Sequence, residues 1–309
     1  MGSGKPLHFK KLALGTVQFG TPYGVTNSHG QTSHDEAIKT MRLAYDSGIQ
    51  FFDTARAYGT AEHVLGEFLM QIDKGRVLVG TKLAPIENDS AMGQRAEESL
   101  RASLAALGRT KIDIFMYHRW ANHKNAEIRS RVLALHEHYE KLGVSALNIE
   151  EAIEALHDSD IKFIQMPCNL LDGRPLESKF QDIRRSRPDV EIQLRSVLLQ
   201  GVLTESFDPI KQKIAGHDIG PMLKIVDRLV VKLDRVNRRD LAYAYALGLD
   251  WAQSLVFGVE SSKQLGENLK LFTRPPLSRN EIQTVRDAIG FLAVPEEVLN
   301  PYQWKLIDS

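Results

Sequence analysis

Cysteine is nearly absent: Cys168 is the only one in 309 residues. A single thiol excludes an intrachain disulfide and a multi-cysteine zinc site, and a reducing cytoplasm is the expected location. Net charge is missing too, because 39 basic side chains balance 39 acidic ones. Such a chain has no overall field to draw in nucleic acid or an anionic membrane, so neither partner is expected. Long apolar runs are also lacking. The uncharged stretch 241–249 is far short of the roughly 18 residues that suggest a bilayer span, and residues 1–6 lack the apolar core of a signal peptide. No low-complexity linker or break in composition marks a boundary. The expectation is one domain over 1–309 with its core at about 11–292. Hydrophobic residues make up 43% of the chain, enough for a packed interior and against global disorder.

Short β-branched or apolar runs alternate with longer segments of helical period. Strands are predicted at 11–17, 50–54, 77–83, 112–118, 142–147, 163–167, 191–197 and 254–259. Helices are predicted at 34–47, 61–71, 94–107, 126–139, 149–157, 176–187, 221–234 with 239–247, and 263–272. Alternation of this kind implies parallel strands, since a helix must return the chain to the same end. Eight such units predict an α/β fold, the (β/α)8 TIM barrel. The step from the seventh strand to the eighth is the longest, about 60 residues, and its surplus at 201–220 is predicted to be a long polar loop over one end. A C-terminal helix at 280–292 and a tail at 300–309 follow.

Two phosphate-loop patterns fail on inspection. No Gly-x-Gly-x-x-Gly follows the first strand, which weighs against an open dinucleotide-binding sheet. Gly15 and Gly20 have the spacing of a nucleotide-triphosphate loop, but Thr21-Pro22 stands where Lys-Ser/Thr is required.

In a barrel, chemistry collects at the C-terminal ends of the strands. There the sequence places Asp53 after strand two, Tyr58 in the loop beyond it, Lys82 after strand three and His118 after strand four. Taken singly, each has an ordinary explanation: a turn residue, a packed phenol, a rim ammonium, a structural imidazole. Together they form a proton-transfer set. An ammonium near a phenol favours the phenolate, a carboxylate holds that ammonium in place, and an imidazole orients a carbonyl or relays a proton. His136 and His138 face different sides of a helix, so no metal site is expected from them.

From about Leu12 to Phe272 the chain resembles the aldo-keto reductase superfamily. The resemblance is carried by Leu14-Gly15-Thr16-Val17-Gln18-Phe19-Gly20, Phe52-Asp53-Thr54-Ala55-x-x-Tyr58-Gly59 and Glu62-x3-Gly66. It continues in Thr81-Lys82, Tyr117-His118, Gly143-Val144-Ser145, Gln165-Met166-Pro167-x-Asn169 and Gln264-Leu265-Gly266-Glu267-Asn268. It implies carbonyl reduction with Tyr58, Lys82, Asp53 and His118 as the catalytic set, and NADP(H) as coenzyme with NAD(H) as the alternative. The implied coenzyme contacts are Gly15, Thr16, Asp53, Ser145, Gln165, Arg195, Ser196, Gly258, Ser261, Gln264, Glu267 and Asn268. Ser145 and Gln165 match positions that hold the nicotinamide carboxamide, but Ala146 replaces a frequent Asn. Arg195 stands where an aromatic ring often stacks on the nicotinamide; it either stacks there or binds a carboxylate or substrate oxygen. Ser261 and Ser262 either serve an anionic phosphate at the start of the eighth helix or simply cap it. Glu260 would repel a 2′-phosphate, whereas Lys263 would attract one. Tyr23 and Trp120 are the candidate substrate contacts, Trp120 being equally placed for rim packing. The substrate class is a small carbonyl compound, with a sugar-like aldehyde suggested by the polar loops. Other functions compatible with the chain are a coenzyme-binding regulatory or scaffold protein with little turnover, and a non-redox barrel isomerase or dehydratase.

Overall fold

The computed structural model describes residues 7–27, 29–73, 77–87, 91–208, 213–292, 294–301 and 304. Eight parallel strands close into a barrel in sequence order. They are β1 (Leu12–Gly15), β2 (Phe51–Asp53), β3 (Leu78–Lys82), β4 (Ile112–Tyr117), β5 (Tyr139–Ser145), β6 (Phe163–Pro167), β7 (Glu191–Arg195) and β8 (Ser254–Gly258). Closure is made by β1 on β8, with Leu12 opposite Leu255 and Gly15 opposite Gly258. The predicted (β/α)8 barrel is the observed fold.

Strand side chains alternate between faces, so each strand divides its residues between two cores. Leu12, Leu14, Phe52, Val79, Phe115, Val144 and Ile164 join the large cluster between strands and helices. Ala13, Phe51, Ile114, Met116 and Phe163 form the small plug inside the barrel. The same two-residue period carries the inward face upward from Phe51 to Asp53, from Phe163 to Gln165 and from Met116 to His118. The polar strand ends therefore sit on top of an apolar floor, which is what gathers them at one end.

Most predicted helices appear within a residue or two of their expected ends, and several start at side-chain caps. Asn148, Asn237 and Ser261 each accept a hydrogen bond from a first-turn N–H. Ser278 and Glu281 form a reciprocal capping box at the start of Arg279–Ile289. Three expectations shift. The helix predicted at 126–139 ends at Ala134, a 3-10 turn covers His136–His138, and Tyr139 already belongs to β5. The Tyr139 ring stacks on Phe115, and its hydroxyl donates to Val132 O at 3.0 Å, so burial of the aromatic ring overrides the helical period. β1 stops at Gly15 because Val17–Gly20 forms a single helical turn. The loop at 201–220 is anchored by the buried side chains Val202, Leu203, Phe207, Ile214 and Ile219, rather than being polar throughout. Its residues 209–212, and tail residues 302–303 and 305–309, lie outside the described residues. Among the described residues, no helix is long and apolar enough to cross a membrane.

Candidate active site

Above the apolar plug, Asp53 is the hub of a buried polar knot. Lys82 Nζ donates to Asp53 Oδ1 at 2.9 Å, to Asp53 Oδ2 at 2.8 Å and to the Thr54 carbonyl at 2.9 Å. Gln165 Nε2 reaches the same carboxylate at 2.7 Å and Gln193 Oε1 at 2.6 Å, while Ser145 Oγ donates to Gln165 Oε1 at 3.2 Å. Both members of the Lys82–Asp53 pair are essentially removed from solvent. Burial pushes the Lys82 ammonium down from its ordinary pKa, and the Asp53 carboxylate opposes that shift.

Tyr58 is delivered by the loop after β2, and two glycines set its position. A Cβ at Gly20 would lie 1.8 Å from the Tyr58 carbonyl oxygen. Gly59, at φ +53°, passes so close to Gly20 that a Cβ would lie 2.3 Å from the Gly20 oxygen. On the other side, Glu62 is buried and accepts from Thr81 Oγ1 at 2.6 Å and from Arg56 Nη1 at 2.9 Å, tying the loop to β3. The Tyr58 ring meets His118 edge-on, with centroids 5.7 Å apart, and Lys82 Nζ lies 5.1 Å from the Tyr58 ring centre. His118 is held down to a pKa of about 3 by burial and then by the Lys82, Arg195 and Arg119 charges. Its imidazole is therefore neutral across the physiological range and can offer a hydrogen bond without carrying charge.

These groups open onto a cavity of about 340 Å³. Asp53, Tyr58, His118, Ser145, Gln165, Arg195 and Ser196 line one part of it. Gly15, Thr16, Gly258, Gln264, Glu267 and Asn268 line the part toward β8, and Tyr23 stands at the mouth with 40% of its surface exposed. Three of the residues predicted for the site are not in the lining. Lys82 lies immediately beneath Asp53 and acts on the cavity only through it and through its charge. Ser261 caps the helix Ser262–Leu271 by accepting from Gln264 N at 3.2 Å. Trp120 lies elsewhere: its ring stacks on His123 at 4.2 Å, and its Nε1 donates to Glu154 at 2.6 Å. The chain turns into a short helix, Trp120–Lys124, directly after β4, and this carries the indole away from the barrel mouth. Arg195 donates to the Ala146 carbonyl at 2.8 Å and to Ser196 Oγ at 3.0 Å, so its guanidinium is fixed across the gap between β5 and β7. Cys168 is buried, and burial raises its thiol pKa well above the ordinary value, so it is an inert packed group.

Sequence reasoning missed Gln193, Gln18, Arg239 and Tyr243. Gln193 shares the inward face of β7 with Arg195, so strand parity alone would have found it. Gln18 reaches the cavity from a one-turn helix inside the 14–20 motif, and Arg239 from a helix after the long loop that no local pattern announces. Several buried side-chain atoms in this region have no protein partner among the described residues: Gln18 Oε1, His118 Nδ1, Arg195 Nε and Gln193 Nε2. Of these residues, Gln18, His118 and Arg195 line the cavity, which leaves their unpaired atoms beside the space a polar ligand would fill.

Residues 11–289 match the aldo/keto reductase family. The chain belongs to this family. Among curated relatives, L-galactose dehydrogenase of Arabidopsis thaliana is 26% identical over 288 residues, covering 85% of each chain. NADH-specific methylglyoxal reductase of Escherichia coli K12 is 26% identical over 294 residues, covering 84% of this chain and 88% of that protein. An aldo-keto reductase from Bacillus halodurans, solved in its holo form, shares the fold with a TM-score of 0.73. Its identity is 20%, with 90% of this chain and 91% of that chain covered. Family membership makes the chain one of a group of oxidoreductases, and the cavity at the strand ends is where its chemistry is to be sought.

Proposed function

We propose that the protein is a nicotinamide-dependent carbonyl reductase in which Tyr58 protonates the carbonyl oxygen. The observation carrying this reading is the convergence of Tyr58, His118 and the buried Lys82–Asp53 pair on one cavity. The polar wall formed by Ser145, Gln165 and Arg195 fits a nicotinamide carboxamide, whose amide needs both donors and acceptors. When bound, that coenzyme supplies the hydride; the chain's own residues handle binding, orientation and the proton. Neutral His118 donates a hydrogen bond to the substrate oxygen and fixes its direction. Tyr58 gives its phenolic proton to the same oxygen as charge develops there. Lys82 stabilises the resulting phenolate, and Asp53 keeps Lys82 charged and in place. Solvent then returns a proton to Tyr58. Arg195, braced by Ala146 and Ser196, offers a flat cation beside the nicotinamide ring.

A small hydroxylated aldehyde is the proposed substrate class. The cavity lining includes Tyr23, Thr26, Thr204 and Ser206, which supply hydroxyl groups for hydrogen bonding, and a relative named L-galactose dehydrogenase lends support. The test is coenzyme oxidation against a panel of sugar-derived and simple aldehydes, comparing wild type with Tyr58→Phe. Wild type should turn over, and the variant should lose about 10²–10⁴-fold in kcat. Equal turnover by both proteins would remove Tyr58 from the role of acid.

A further inference from the structure

The two ends of the cavity differ in charge. Near Tyr58 the fixed groups include the cations Arg195 and, just beneath, Lys82. The opposite end, toward the start of Ser262–Leu271, is lined by three carboxylates, Glu205, Glu260 and Glu267, against one guanidinium, Arg239. That guanidinium is already engaged. Arg239 Nη2 lies 3.4 Å from Glu205 and 3.4 Å from Glu267, and Nη1 donates to Asn268 Oδ1 at 3.1 Å.

A helix start ordinarily attracts an anion through its free N–H groups. Here the chain supplies its own. Glu36 Oε1 accepts from Ser262 N at 2.7 Å and from Ser262 Oγ at 2.6 Å. Gln264 N is taken by the Ser261 hydroxyl, and Glu260 N by Gln264 Oε1 at 2.8 Å. At the same wall, the Gln18 side chain is nine-tenths buried, and its Oε1 has no partner among the described residues. Gln18 Oε1 and the carboxylates present acceptors to the cavity, whereas Lys263, the cation at this helix start, is exposed and stands outside the lining. A ribose diol donates hydrogen bonds and suits such a wall; a phosphate monoester only accepts, and it brings negative charge toward carboxylates.

Building on the coenzyme reading above, we propose that this cavity takes NADH and rejects the 2′-phosphate of NADPH. Glu260 and the Glu36-capped helix start are the discriminating groups. Glu260 accepts from the ribose hydroxyls, as a carboxylate does in NAD sites of other folds.

The experiment is a binding titration on the full chain, with NADH and NADPH followed by protein fluorescence, and with 5′-ADP and 2′,5′-ADP as competitors. NADH should bind at least about tenfold more tightly than NADPH, and 5′-ADP should compete better than 2′,5′-ADP. Glu260→Lys should shrink the NADH/NADPH ratio by about tenfold or invert it, and Glu260→Gln should move it the same way by less. Wild-type binding of NADPH as tight as NADH would overturn the proposal while leaving the coenzyme reading intact. A ratio unchanged in both variants would remove Glu260 as discriminator. Binding of neither coenzyme would instead defeat the coenzyme reading itself, and the selectivity with it.

Discussion

Asp53 accepts from both Lys82 and Gln165, and the Lys82–Asp53 pair is almost fully buried, so its carboxylate is structural as well as chemical. Removing one partner of a buried pair leaves an uncompensated charge. Asp53→Ala should therefore cost about 3–5 kcal/mol in urea unfolding, and adding Lys82→Met should recover much of that loss. A double variant no more stable than Asp53→Ala would mean that the stranded ammonium is not the cause. His118 makes a pH-dependent contribution. Its folded pKa of about 3 lies below the ordinary 6.5, so on acidification the unfolded chain takes up this proton first. The stability linked to neutral His118 is full above about pH 6.5 and is lost as pH falls toward 3. Thermal melts of wild type should therefore fall more steeply over that window than those of His118→Gln; identical slopes would refute the linkage. Tyr58, Lys82, Asp53 and His118 were legible because strand-end position and residue chemistry coincide at each. Trp120 stays between substrate contact and rim packing on sequence grounds, because nothing after His118 announces the helical turn in which it packs on His123. Arg239 was missed because a helix and a long loop separate it in sequence from the cavity it lines.

Between elements, a close contact with a clear sequence signature is that of helix Ala61–Leu69 on helix Met92–Leu107. A Cβ at Gly66 would lie 2.0 Å from the Ala106 carbonyl oxygen. Backbone cannot yield there as a flexible side chain could, so Gly66→Ala should destabilise by about 1–3 kcal/mol. Gly266 is the internal control: it is also helical, but no atom lies within 4 Å of where its Cβ would stand. Gly266→Ala should stabilise by about 0.5–1 kcal/mol through helix propensity. Equal effects from the two substitutions would contradict the packing account. The strands and helices were readable at this scale because burial enforces their periods. Their boundaries were less so, since Tyr139 and Val17 obey tertiary packing and turn geometry rather than the local pattern.

At the scale of the whole chain, the barrel explains why a coenzyme enzyme can lack a glycine-rich phosphate loop. The cavity we propose for the coenzyme is assembled from β1, β2 and β5–β8 with their loops and from His118 after β4, and its charge is arranged locally within a neutral molecule. Family and fold were legible in the order of the units and their motifs. The sequence leaves NADP(H) and NAD(H) both open, because the selectivity we propose depends on Glu36 and Glu260 meeting one helix start from positions more than two hundred residues apart. The resemblance implies NADP(H) with NAD(H) as the alternative, and our proposal of NADH rests on the charge around that helix. Hydride delivery can be followed with the coenzyme deuterated at the transferable position of its nicotinamide ring, using an accepted aldehyde and mass spectrometry of the alcohol. The expected product carries one deuterium on the former carbonyl carbon with wild type and almost none with Tyr58→Phe in the same time. Alcohol formed without the label, or labelled equally by both proteins, would contradict hydride transfer coupled to a Tyr58 proton.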